Sequence, residues 1–172
     1  MKIRYAKLMK NDVVDTDSGI CVSLWMQGCP FRCNGCHNPE TWDFNGGNEI
    51  EDDVLIDMTL SALTENGIKR DLSILGGEPL VEKNLIFLGQ LITDAKRLNP
   101  SIKIYLWTGF EYSHLVHVKH LYSYILSQID VLITGPFILD QRDITLKLRG
   151  SRNQEIWRRN ENGKLVLDTD NM

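Results

Sequence analysis

The chain has 172 residues, 42% of them apolar and 24% charged, enough for one domain over residues 1–172 with its own core. Its formal net charge is −4 and no apolar run reaches membrane-spanning length, so neither nucleic acid nor a membrane is expected as a partner. No apolar stretch follows Met1–Lys7, which argues against a signal peptide and for a cytoplasmic protein, where four Cys point to metal or redox chemistry rather than a disulfide framework.

In chain order, residues 2–8 alternate weakly and suggest an edge strand. Residues 20–26 read as a buried strand that runs directly into a Cys-containing loop. Asn48 and Glu51 resemble a capping pair for a helix over about 49–66, with Val54, Leu55, Met58, Ala62 and Leu63 as its apolar stripe. The acids Glu49, Glu51, Asp52 and Asp53 suit the positive end of that helix dipole.

Residues 71–75 form a short strand broken by Gly76-Gly77-Glu78-Pro79. A helix follows over 83–98, with Leu85, Leu88, Ile92, Ala95 and Leu98 on one face, and Asn99-Pro100 ends it. Strands are expected at 102–107 and 129–134, the first closed by Thr108-Gly109 and the second by Gly135-Pro136, with a helix over 112–128 between them. Ile156-Trp157 and Leu165–Leu167 flank Asn162-Gly163, a hairpin signal.

The alternation of strand and helix implies an α/β fold with a parallel sheet. A closed (β/α)8 barrel needs about 250 residues. The expectation is therefore a partial, open (β/α) barrel of about five or six mostly parallel strands with a C-terminal hairpin. In such a sheet the Cys loop, Gly76–Glu78, Thr108-Gly109 and Gly135-Pro136 all follow strands, so they converge on one mouth.

Cys29, Cys33 and Cys36 stand in a C-x3-C-x2-C spacing. Three thiolates from one loop can hold a metal centre, yet iron–sulfur clusters normally take four. Three leave one iron open for catalysis. The alternative is a zinc site completed by His37 or Cys21, but no second, distant pair of ligands stands out. Gly76 and Gly77 let a ligand approach the main chain, and Glu78 can accept a charge-assisted hydrogen bond from an ammonium group.

These motifs resemble the radical S-adenosylmethionine superfamily. The wider sequence is similar to one class of it, the activating proteins of anaerobic (class III) ribonucleoside-triphosphate reductases. The resemblance covers Gly28 to Trp42, Gly76 to Leu80, Trp107 to Phe110, Asp130 to Phe137, Arg142-Asp143 and Leu148 to Gln154. It implies a [4Fe-4S] cluster on Cys29, Cys33 and Cys36, with S-adenosylmethionine chelating the fourth iron and no catalytic side chain beyond the cluster.

The resemblance further implies that Gly76, Gly77 and Glu78 hold the methionine end and that the backbone at Gly35, Cys36 and His37 touches the adenine. Many superfamily members carry an aromatic residue where this chain has Gly35. The implied reaction is reductive cleavage to a 5′-deoxyadenosyl radical, which takes a hydrogen atom from a glycine of the reductase. Its implied partners are the large subunit of that reductase and an electron donor such as a flavodoxin. Runner-up readings are an activator of another glycyl radical enzyme, such as pyruvate formate-lyase, and a zinc-stabilised binding module.

Other residues carry plainer readings. Cys21 on its apolar strand suggests a buried structural thiol. His114, His117 and His120 suggest a solvated helix face rather than a metal patch, and the four Trp suggest core or interface positions. The basic residues of 142–159 suggest a docking surface for the reductase.

Overall fold

A computed structural model describes residues 1–171. Its centre is one eight-stranded sheet in the order β3-β1-β2-β4-β5-β6-β7-β8. The strands are β1 (Lys2–Asp12), β2 (Cys21–Met26), β3 (Asn48–Glu51), β4 (Asp71–Gly76), β5 (Ile104–Trp107), β6 (Val131–Thr134), β7 (Glu155–Arg159) and β8 (Leu165–Leu167). The helices are α1 (Asp52–Thr64), α2 (Leu85–Leu98), α3 (Tyr112–His117) and α4 (Lys119–Gln128).

The expected partial (β/α) barrel of mostly parallel strands is not what forms. The sheet is mixed and ends at β3 and β8 without closing. Only the central pairings β2–β4, β4–β5 and β5–β6 are parallel. The four outer pairings are antiparallel. Chain length between strands explains this. A parallel return needs a crossover of a dozen or more residues, usually helical. Residues 13–20 are too few, so β2 runs back along β1. Residues 135–154 contain only a 3-10 turn at Leu139–Gln141, so nothing carries β7 over the sheet and it turns back beside β6.

Several boundaries also move. β1 is flanked by β3 and is not an edge. Asn48 lies in β3, and α1 starts after Glu51 with no side-chain cap. The buried stripe of α1 is Leu55, Ile56, Thr59, Ala62 and Leu63, while Val54 and Met58 face solvent. Leu98 is likewise exposed at the end of α2. The helix expected over 112–128 breaks at Val118 (φ −102°, ψ 40°). The break splits the His row, and His114 stacks on Phe110 at 4.8 Å.

Strand alternation sorts the central sheet into two faces. Val22, Leu24 and Met26 of β2, Leu72 and Ile74 of β4, Ile104 and Leu106 of β5, and Leu132 of β6 join the helices in the main core. Phe87, Leu88, Leu91, Ile92 and Ala95 of α2 fill it from the other side. Arg70, almost wholly buried, donates to the carbonyls of Ala62 (3.0 Å) and Glu65 (2.8 Å), satisfying groups that the end of α1 leaves unpaired.

The opposite face carries Cys21, Ser23 and Trp25, Asp71, Ser73 and Leu75, Tyr105 and Trp107. The β1–β2 loop folds back over it. The Ser73 hydroxyl donates to the Asp15 carbonyl at 2.6 Å, and the Tyr105 hydroxyl donates to Asp17 at 2.7 Å. Asp17 in turn pairs with Arg158 of β7 at 2.6 Å. No described helix is long and apolar enough to cross a membrane.

Candidate functional site

The parallel strands β2, β4, β5 and β6 all end on one edge of the sheet, where each hands over to a loop. A cavity of about 530 Å³ lies there. It is lined by Cys29, Cys33, Cys36 and His37 from the first loop and by Gly76, Gly77 and Glu78 from the second. Thr108-Gly109 and Gly135-Pro136 come from the third and fourth. The volume falls in the range of small-molecule sites. The four loops singled out in the sequence therefore meet in one place.

The Cys loop is fastened at its base. Gly28 N–H donates to the Thr41 carbonyl at 2.7 Å and Cys29 N–H to that of Trp42 at 3.1 Å. The buried amide of Gln27 donates to the carbonyls of Glu40 (2.9 Å) and Asp43 (2.8 Å). Inside the loop, Asn38 N–H points at Cys36 Sγ at 3.4 Å. The three thiols are half-buried and free of disulfide. Among the described residues no group of three His, Cys, Asp or Glu converges tightly enough for a single metal ion. Three soft thiols spread around one cavity, with no hard ligand among them, fit a polynuclear iron–sulfur cluster better than a lone zinc. Burial pushes the Cys29 thiol up, and the Glu78 charge adds to that against an opposing backbone hydrogen bond at Phe31.

The Gly76–Glu78 loop presses against the Cys loop. Gly77 N–H donates to the Met26 carbonyl and Glu78 N–H to that of Gly28, both at 2.8 Å. A Cβ on Gly77 would stand 2.4 Å from the Gly28 carbonyl oxygen, so only glycine allows this approach. Gly35 has a different neighbour. A Cβ there would meet Leu139 Cδ1 at 2.8 Å, and the backbone sits at φ +79°. The positive φ favours glycine, and any side chain at this position would have to push aside the tip of the exposed Leu139.

Glu78 lines the cavity yet is only 1% exposed. Its carboxylate accepts from Leu80 N–H (2.9 Å), Thr108 Oγ1–H (2.8 Å) and Gly109 N–H (2.7 Å). It therefore ties the second loop to the third. Burial raises its pKa to about 7 against the pull of these donors.

Sequence reading missed part of the wall. Asp15 of the β1–β2 loop lines the cavity, and burial together with the neighbouring Asp12 carboxyl pushes its pKa up to about 7. Trp25, Trp42 and Trp107 line it too, where core or interface positions were expected. A loop that folds back over a sheet leaves no periodic trace, so nothing in the spacing marked Asp15.

The segment 148–154 forms the remaining wall and proves to be scaffolding. Gln154 accepts from Gly150 N–H at 2.8 Å and donates to the Gly135 carbonyl at 2.9 Å. Asn153 donates to the Pro136 carbonyl at 2.7 Å. Arg149 is buried and donates to the carbonyls of Arg152 (3.2 Å) and Gln154 (2.7 Å). Arg158 is held by Asp17 and Asp168, and Arg159 by the carbonyls of Ile129 and Gly163. Of the basic residues expected to dock a partner, Arg142, Lys147 and Arg152 remain exposed.

Residues 17–157 match the protein family described as a 4Fe-4S single cluster domain. The chain is 35% identical to an anaerobic ribonucleoside-triphosphate reductase-activating protein of Haemophilus influenzae, over 91% of this chain and 98% of the relative. Identity to the Vibrio cholerae protein of the same description is 34%, with the same coverage. For the Escherichia coli K12 protein it is 30%, over 90% of this chain and 97% of the relative.

Proposed function

The chain belongs to the family of anaerobic ribonucleoside-triphosphate reductase-activating proteins, and on that premise we propose that Cys29, Cys33 and Cys36 hold its [4Fe-4S] cluster and that Gly76–Glu78 seats S-adenosylmethionine. The protein is an enzyme that activates the reductase by generating its glycyl radical. When bound, the reduced cluster and S-adenosylmethionine supply the 5′-deoxyadenosyl radical that takes the glycine hydrogen.

The observation that carries the site assignment is the meeting of three free thiols and the Gly76–Glu78 loop in one cavity at the carboxyl edge of the parallel strands. This chain's own residues then have separate tasks. The three thiols, all lining the cavity, would hold the cluster there. Gly77, pressed on the Gly28 carbonyl, sets the second loop against the first at fixed distance. Such rigid placement replaces an encounter with a held geometry.

A carboxylate offers about four lone-pair sites. Glu78 fills three with Leu80, Thr108 and Gly109, which keeps one for a ligand ammonium. Backbone at Gly35, Cys36 and His37 receives the adenine, since Gly35 has no side chain that could stack on it. Trp25, Trp107 and Phe31 wall the cavity with apolar surface and limit water near the reacting atoms.

Pro30, Arg32, Asn34 and Gly35 of the Cys loop are exposed, so a flavodoxin-like donor reaches the cluster from this edge. In this reading residues 1–172 act as one domain in the cytoplasm, without nucleic-acid or membrane partners. Anaerobic reconstitution with iron and sulfide, then reduction, should yield 5′-deoxyadenosine from S-adenosylmethionine. Addition of the reductase should give a glycyl radical signal by EPR. Failure of the reduced, iron-loaded protein to cleave S-adenosylmethionine would overturn the assignment.

A further inference from the structure

The cavity opens between two exposed apolar lips that the chemistry of the cofactors does not use. One is the tip of the β1–β2 loop, where Val14 is 79% exposed beside Val13. The other is the loop after β6, where Ile144 is 82% exposed. Both Val14 and Ile144 border the cavity. The second lip is held in shape rather than loose. Asp143 accepts from Thr145 N–H (3.0 Å) and Thr145 Oγ1–H (2.6 Å), and Asp143 N–H donates to the Gly150 carbonyl (3.1 Å). The braced loop thus presents Ile144 to water at a fixed place on the rim of the cavity, which Ile86 on α2 does not share.

The charges around that lip have a sign of their own. Arg142, Lys147 and Arg152 are exposed there, and none forms an ion pair with any described residue. Asp140 and Asp143 stand beside them, and the Thr145 hydrogen bonds together with Arg152 and Arg149 hold the Asp143 carboxyl below the usual carboxylate range, so it stays charged. The lip therefore carries three exposed cations against two carboxylates, a local positive excess on a chain whose net charge is −4. Such a patch selects an acidic partner surface and speeds its approach.

We propose that Val14 and Ile144 grip the reductase segment that delivers its glycine to the cavity, and that Arg142, Lys147 and Arg152 pair with acidic residues beside that segment. This rests on the activating function above and adds how the partner is recognised. The occupant is one extended polypeptide stretch with an apolar side chain for the lips and carboxylates on its flank. Small-molecule binding alone gives no reason for exposed aliphatic side chains at the rim, whereas a polypeptide covers them on docking.

The test is the rate of glycyl radical formation, read by EPR, against reductase concentration. Ile144→Glu should raise the KM for the reductase at least tenfold with kcat within about twofold. The double variant Arg142→Glu/Lys147→Glu should do the same and should lose the wild-type rise of KM with salt. Ile86→Glu is the control, because Ile86 is 77% exposed on α2 away from the cavity; its KM should stay at the wild-type value. An unchanged KM in both lip variants would overturn the proposal. So would an equal fall in S-adenosylmethionine cleavage measured without reductase, since the lip would then act on the cavity itself. Absence of that cleavage in the wild-type protein would instead sink the activating function and leave the docking surface to be judged by reductase binding alone.

Discussion

The two faces of the central sheet are built from the same strands and obey different rules. On the helix side, β2 contributes Val22, Leu24 and Met26, and every one is inaccessible to solvent among apolar neighbours. On the other side, the same strand contributes Cys21, Ser23 and Trp25. Cys21 Sγ–H and the Ser73 hydroxyl both donate to the Asp15 carbonyl, Trp25 Nε1–H donates to Ser23, and the Tyr105 hydroxyl donates to Asp17, with the cavity beyond. One face holds the protein together by removing apolar area from water. The other uses polar contacts to fix loops at the carboxyl edge. A change on the first face should therefore cost stability, and a change at the edge should cost chemistry.

The thiol loop gives the largest separation of these two effects. Replacing Cys33 with Ala should abolish iron–sulfur absorbance and 5′-deoxyadenosine formation, while the melting temperature of the metal-free protein stays within a few degrees. Half-exposed thiols contribute little to the core. Retained cleavage in Cys33→Ala would break the ligand assignment. The converse is Leu88→Ala, wholly buried on α2. It should cost about 3 kcal/mol in chemical denaturation, the usual loss for a buried leucine. Protein that survives at low temperature should still load its cluster.

The same contrast explains what the sequence disclosed. The central strands were legible as short apolar runs closed by Gly, as at Leu72–Leu75 before Gly76 and Ile104–Trp107 before Gly109, because strands buried on both faces are apolar throughout. The Cys spacing and the Gly76–Glu78 motif were legible because they are local. The open barrel of mostly parallel strands was a wrong expectation, in part because the direction of β7 depends on what the long non-helical stretch 135–154 does. Hydrogen bonds from Asn153 and Gln154 back to Gly135 and Pro136 settle that, and no period reports them. The helix stripe on α1 was right at Leu55, Ala62 and Leu63 and wrong at two positions for a related reason. Val54 and Met58 are apolar, and only the packing of the helix on the sheet selects Ile56 and Thr59 in their place beside Leu55, Ala62 and Leu63.

Glu78 stands between the two regimes, since it is buried like the core and braces the loops of the site. Its pKa in the folded protein is raised from 4.5 to about 7, so the folded state binds this proton more tightly than the unfolded one. The stability it contributes is present in full below about pH 4.5 and is lost as pH rises through 7. Glu78→Gln removes the titration. The stability of wild type minus that of the variant should fall by on the order of 3 kcal/mol between pH 4.5 and 7.5, because each tenfold gain in proton affinity is worth about 1.4 kcal/mol. Denaturation at a series of pH values checks it, and a difference independent of pH would show that the buried carboxylate is charged throughout.

Cys21 should give the smallest effect and the sharpest control. It is the one thiol on the sheet itself, wholly buried, with Sγ–H directed at the Asp15 carbonyl at 3.6 Å. Burial pushes its pKa to about 12, and the nearby Asp12, Asp15 and Asp71 charges add to that, so almost no reactive thiolate exists near neutral pH. In metal-free protein at pH 8, iodoacetamide should modify Cys29, Cys33 and Cys36 and spare Cys21 until the chain unfolds. Cys21→Ala should cost about 1 kcal/mol, the transfer free energy of one small buried group, and leave cluster loading and S-adenosylmethionine cleavage near wild type. If Cys21→Ala instead lost iron along with Cys33→Ala, the division between the two faces would fail at β2, because a residue of the sheet interior would then belong to the cluster.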